Sequence, residues 1–220
     1  MSATTDRVLD ISEDGVRLSS HLEQLVIERK DKSPRTFPYA EVAVLVVSNP
    51  WVTYAHSVLQ NLAEHGGVLV ACDAKHLPVS MCLPLTGHSV PAERLRQQIA
   101  ATKPTRKRIW RTLIRAKIAA QAATLTKYRG SDHGLRALLA RLKTEEPEAV
   151  ESQAARIYWG NLFPVESFRR DPEAEGGPNV LLNYGYAILR AAVARAACGS
   201  GLNLTRGVFH RNRDNAFCLA

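Results

Sequence analysis

Hydrophobic positions fall into two textures along this 220-residue chain. Up to Pro84 they come in short runs, Val8–Ile11, Val16–Ser19 and Gln24–Arg29, followed by the unbroken aliphatic segment Val42–Val47. Short runs bounded by polar turns read as strands, and an unbroken aliphatic one as a strand buried on both faces. Between the first two runs stands Ser12-Glu13-Asp14-Gly15, a turn sequence whose glycine can take positive φ, which predicts a hairpin. The polar stretch Lys30–Arg35 reads as a loop. Thr53–Glu64 reads as a helix ended by His65-Gly66-Gly67, Val68–Cys72 as another buried strand and Leu77–Leu83 as the last one.

After Pro84, Ala and Leu recur every three or four residues, with breakers between the runs. This pattern predicts helices over 91–101, 105–128, 132–143, 147–163 and 179–198, and helix-forming composition returns after Asn212. The expected fold class is therefore α+β: a small β-rich N-terminal domain over residues 1–84, a linker at 85–91 and an all-helical domain over 92–220.

Charge sharpens this division. Residues 1–90 carry a net −3 and residues 91–220 a net +11, giving +8 for the chain. Between Arg94 and Lys143 there are fourteen Lys and Arg and a single acid, Asp132. Such density costs self-repulsion unless a polyanion relieves it, and nucleic acid is the obvious candidate; a solvated basic helix face is the plainer alternative. No apolar run approaches the roughly 18 residues of a membrane helix, and the opening MSATTDRVLD lacks the layout of a signal peptide. Cys72, Cys82, Cys198 and Cys218 form neither a CxxC pair nor a repeated spacing, so the expectation is a protein of the reducing cytoplasm with no membrane partner.

Dinucleotide-binding, P-loop, zincin and serine-hydrolase signatures are all missing from the sequence. Two residues carry candidate chemistry. Glu151 falls at i of the series Glu151, Ala155, Tyr158 and Leu162, one face of a helix, where an ionised carboxylate needs a cation, a metal or a donor. A neighbouring arginine would satisfy it, but Arg156 lies about 140° around the helix. His210, in Gly207-Val-Phe-His-Arg-Asn-Arg213, could meet a phosphate, a metal or solvent. Tyr184 and Tyr186 read equally as packing against a neighbouring element or as substrate contacts.

The ordered series Glu151-Ser-Gln-Ala-Ala-Arg-Ile-Tyr-Trp159, Phe168-Arg-Arg-Asp171, Asn179-Val-Leu-Leu-Asn-Tyr-Gly-Tyr-Ala187, Gly201-Leu202, Gly207-Val-Phe-His210 and Asn215-Ala-Phe-Cys-Leu219 closely resembles the CRISPR-associated adaptation integrase family, in its type II-like form. The resemblance spans essentially the whole chain, with its motifs confined to the helical half.

It implies a metal-dependent DNA endonuclease and integrase that inserts new spacers into a CRISPR array. It also implies a dimer formed through the β-rich domain, double-stranded DNA as substrate, and a small ferredoxin-like partner protein. Glu151 and His210 fall on a catalytic Glu and His that bind Mg²⁺ or Mn²⁺. The family's third, acidic ligand follows the segment ending here at Ala220, so weak metal binding and an empty site are expected, with Asp214 the only nearby substitute. Arg106, Lys107, Arg108, Arg111, Arg115, Tyr158, Asn183, Tyr184 and Arg211 are expected to touch DNA or line the site. The alternative reading is a catalytically silent DNA-binding subunit of the same complex.

Overall fold

In the computed structural model, residues 7–74, 76–85, 90–142, 147–163, 168–174, 176–209 and 217–219 are described. They form two compact units: one of residues up to Ile99 with 176–207 and 217–219, the other of 100–174 with Val208 and Phe209.

The first unit is built on two four-stranded sheets. One has the order β1 (Arg7–Ile11), β5 (Val42–Val47), β7 (Val68–Cys72), β8 (Pro78–Cys82), the first three parallel and β8 antiparallel. The other has the order β4 (Lys32–Pro38), β3 (Gln24–Arg29), β2 (Arg17–His21), β6 (Thr53–Tyr54). All six residues of β5 are buried, as its unbroken aliphatic sequence requires. Val42, Leu45 and Val47 share a core with Leu18, Leu25 and Ile27 of the second sheet and with Val58 and Leu62 of α1 (His56–Glu64). Ala43, Val44 and Val46 pack with Val68, Val70 and Ala191 of α6 (Pro178–Gly199). Gly67 lets α1 run directly into β7, because a Cβ there would stand 2.7 Å from the Val42 carbonyl oxygen.

Three sequence expectations are corrected. The hairpin between the first two strands does not form: β1 pairs parallel with β5, Arg7 opposite Val42 and Ile11 opposite Val47, and β2 lies in the other sheet. Gly15 does take φ +67°, but the turn is tied to the β5 end, where Asn49 Nδ2 donates to the Ser12 carbonyl and to Asp14 Oδ1. Pairing with β1 covers an edge that the aliphatic β5 would otherwise expose. Lys30–Arg35 is not a loop, since β4 begins at Lys32 and pairs antiparallel with β3 across a turn in which Asp31 has φ +58°. Its polarity is that of an exposed sheet edge, where Pro34 is tolerated. Thr53 and Tyr54 extend beside β2 instead of opening the helix, held by the bond from the Thr53 N–H to the Val16 carbonyl.

The second unit contains α3 (Lys103–Arg129), α4 (Leu135–Arg141) and α5 (Pro147–Leu162). The Thr102 hydroxyl accepts from the Thr105 N–H at the start of α3, and Gly130 ends the helix at φ +78°. Its stripe Trp110, Ile114, Ile118, Ala122 and Leu125 is buried with Leu135, Leu138, Leu142, Val150 and Ala154. The units cut across the expected domain boundary: α6 belongs by packing to the β-containing unit, as does most of α2 (Pro91–Ala100). Four residues of the expected linker, 86–89, and the stretch 212–216 lie outside the described residues. Among those described, no helix is long and apolar enough to cross a membrane.

Candidate active site

On α5, Val150 and Ala154 are buried in the core of the second unit, while Ile157, Tyr158 and Leu162 pack against its margin. Glu151 therefore sits at the border of an apolar face, its side chain 22% exposed. The cation it requires comes from α3: Lys117 Nζ donates to Glu151 Oε1 at 2.5 Å. Arg156 is exposed, in keeping with its position around the helix. Among the described residues, no donor reaches the buried Oε1 of Glu148, one turn before Glu151, or the buried Oε1 of Gln121, one turn after Lys117. The Glu148 oxygen without a donor, one turn from Glu151, is the hard-oxygen chemistry that a divalent ion takes, whereas Glu151 Oε1 is already occupied by the Lys117 ammonium. Among the described residues, however, no group of three His, Cys, Asp or Glu converges as a metal cluster.

His210, Arg211 and Asp214 lie outside the described residues. The two residues before His210 do not: Val208 packs on the core that carries Glu151, and Phe209 stacks on Trp110 with centroids 5.6 Å apart. Tyr158 meets Trp159 edge-on at 4.8 Å, and Trp159 and Phe163 both contact Phe168.

The five basic candidates on α3 divide between two sides of the helix. At 100° per residue, Arg108, Arg111 and Arg115 fall within about 60° of one another, whereas Arg106 lies near the azimuth of Lys117. Arg108 and Arg115 are exposed; Arg106, Lys107 and Arg111 are half-buried, and among the described residues no acceptor meets the buried Arg111 Nε.

Asn183 and Tyr184 belong to the first unit. The Tyr184 hydroxyl donates to Asp10 Oδ2 at 2.7 Å, and Ser48 Oγ donates to Asp10 Oδ1 at 3.0 Å. Its ring lies against the valine face of the first sheet, and burial, then the adjoining Asp10 carboxylate, pushes its pKa well above the ordinary tyrosine value. Tyr184 thus has a packing role whatever else it contacts. Lys117 and Asp10 were not singled out by sequence. The only pointer to Lys117 was the cation that Glu151 needed and that Arg156 could not provide.

Residues 9–220 match the protein family described as CRISPR associated protein Cas1. The CRISPR-associated endonuclease Cas1 of Neisseria meningitidis is 34% identical over 94% of this chain and 68% of its own length. The CRISPR-associated endonuclease Cas1 1 of Francisella tularensis subsp. novicida is 28% identical over 96% of this chain and 72% of its own length. Among solved structures, a casposase bound to its integration product superposes with a TM-score of 0.73 at 19% identity, covering 96% of this chain and 67% of that one. A Cas1 protein from Thermotoga maritima gives 0.67 at 15% identity, covering 96% and 71%.

Proposed function

The chain belongs to the Cas1 family of CRISPR-associated proteins, and on that premise we propose that it is a metal-dependent DNA endonuclease and integrase of the adaptation step. The observation that carries the reading is Glu151, held on the core of a strongly basic helical unit with a cation against its carboxylate. The 34% identity to the Neisseria protein supports the type II-like assignment.

In the proposed reaction a 3′-hydroxyl of the incoming DNA attacks a backbone phosphate of the array. A new P–O bond forms as the array's own 3′-oxygen leaves, so no protein nucleophile is needed. Glu151 and His210 would hold Mg²⁺ or Mn²⁺, which when bound neutralises phosphate charge and acidifies the attacking hydroxyl. Arg108, Arg111 and Arg115, on one side of α3, would grip the duplex backbone without reading sequence. Tyr158 would border the site as a packing residue. We place this activity in a homodimer formed through the β-containing unit, assembled in the cytoplasm with a small ferredoxin-like partner. Fold neighbours described as Cas6-RT-Cas1–Cas2 complexes support the assembly part of this reading.

An integration assay with a pre-cut duplex, supercoiled array plasmid and Mn²⁺ tests it. Joined product that disappears in Glu151→Ala and in His210→Ala supports the proposal. Duplex binding without any joined product would instead favour a silent DNA-binding subunit.

A further inference from the structure

We propose that Lys117 is the resident counter-cation of Glu151, which a divalent ion must displace, and that it thereby sets how tightly this carboxylate takes metal. The inference rests on the reading of Glu151 as a metal ligand. Glu151 sits beside buried Val150 and Ala154, where an uncompensated carboxylate is costly. Its partner is a 2.5 Å charge-assisted bond from a helix 34 residues away in sequence. Asp132, the single acid of the basic segment, does not compete for Lys117, since both its oxygens accept from the backbone N–H groups of Gly134 and Arg136. The Lys117 side chain is 48% exposed, so its ammonium can leave for solvent or for a DNA phosphate without being stranded in the core.

The residue type matters. A lysine ammonium is a point charge on a flexible stem, whereas an arginine fork grips a carboxylate bidentately. A lysine therefore keeps Glu151 neutralised in the metal-free chain and still yields the carboxylate. In the same position a permanent positive charge a few ångströms from the ion opposes binding, an effect of about tenfold in affinity for a partly screened pair.

The test is Mn²⁺ binding to the DNA-free chain, followed by the EPR signal of free Mn²⁺. Lys117→Met should tighten binding about tenfold, Lys117→Arg should bind no more tightly than the parent, and Lys117→Met should change nothing once Glu151→Gln is present. If Glu151→Gln weakens binding but Lys117→Met does not tighten it, the Lys117 inference is wrong while the ligand assignment stands. If Glu151→Gln leaves Mn²⁺ binding unchanged, the ligand assignment itself fails and the inference with it. A readout on the unmodified chain guards against a variant that misfolds: Mn²⁺ should raise reductive methylation of the Lys117 amine several-fold, and a yield indifferent to Mn²⁺ would overturn the proposal.

Discussion

Trp110 and Phe209 stack at 5.6 Å with an interplanar angle of 14°, although one stands in the first third of α3 and the other just before His210. The stack fixes the last described residues of that segment to the core bearing Glu151. Phe209→Ala should cost about 1 kcal/mol of stability, the usual worth of an aromatic pair at a partly exposed position. It should also red-shift tryptophan emission and lower integration more than it lowers duplex binding. Unchanged activity with the expected stability loss would show that His210 is positioned by other contacts.

Duplex binding should be steeply salt-dependent, because each neutralised phosphate contributes about −0.9 to the slope of log K against log salt. With six or more basic residues of 94–143 on the backbone, raising salt from 50 to 200 mM should weaken binding by roughly 10³-fold. Replacing Arg108, Arg111 and Arg115 together by alanine should flatten the slope by about 2.7 if all three touch phosphate. Filter binding across a salt series reads both quantities, and a flat dependence would remove DNA backbone binding from the proposal.

Tyr184→Phe removes the hydroxyl that donates to Asp10 but keeps the ring against the sheet. The expected cost is about 1.5–3 kcal/mol, that of one hydrogen bond to a charged acceptor. Denaturant unfolding measures it. Duplex affinity should stay as in the parent, and a tenfold loss there would instead make the hydroxyl a DNA contact.

The acid inside the basic segment serves a helix start. Asp132 accepts from the Arg136 N–H at 3.0 Å and from the Gly134 N–H at 3.2 Å, and these donors, that of Arg136 foremost, lower its carboxyl pKa below the ordinary value. A carboxyl with a lowered folded pKa contributes stability above the ordinary carboxylate range and loses it as pH falls through the lowered value. Protection of the Gly134 and Arg136 amides, taken relative to intrinsic exchange at each pH, should therefore fall on acidification below about pH 4, and Asp132→Ala should show the same low protection already at neutral pH.

Much of this was legible from local pattern. The buried run Val42–Val47, the stripe from Trp110 to Leu125 and the five described helices after Pro84 all follow from hydrophobic period and breakers. What the pattern could not supply was partnership between distant segments. Ser12–Gly15 has turn chemistry, but whether β1 folds back on β2 or joins β5 depends on which pairing buries Val42–Val47, a choice made in three dimensions. Glu151 announced that it needed a cation, yet no helix-wheel argument on α5 could name Lys117 on α3. Asn179–Ala187 was equally ambiguous, because packing on a sheet and lining a site both favour small residues and tyrosines.

The cover that α6 places on the first sheet has a consequence for synthesis. Val44, Val46, Val68 and Val70 are complete once Cys72 has left the ribosome, but Ala191, which buries them with Tyr184, Ile188 and Ala192, is made far later. At about 5–20 residues per second, the 127 residues from Cys72 to Gly199 leave that valine face waiting for roughly 6–25 s. A nascent chain in this state has an unlidded aliphatic sheet, the kind of surface that chaperones hold and that otherwise finds another copy of itself. Expressed alone, residues 1–84 should accordingly aggregate, and adding residues 176–207 as a separate peptide should recover soluble sheet.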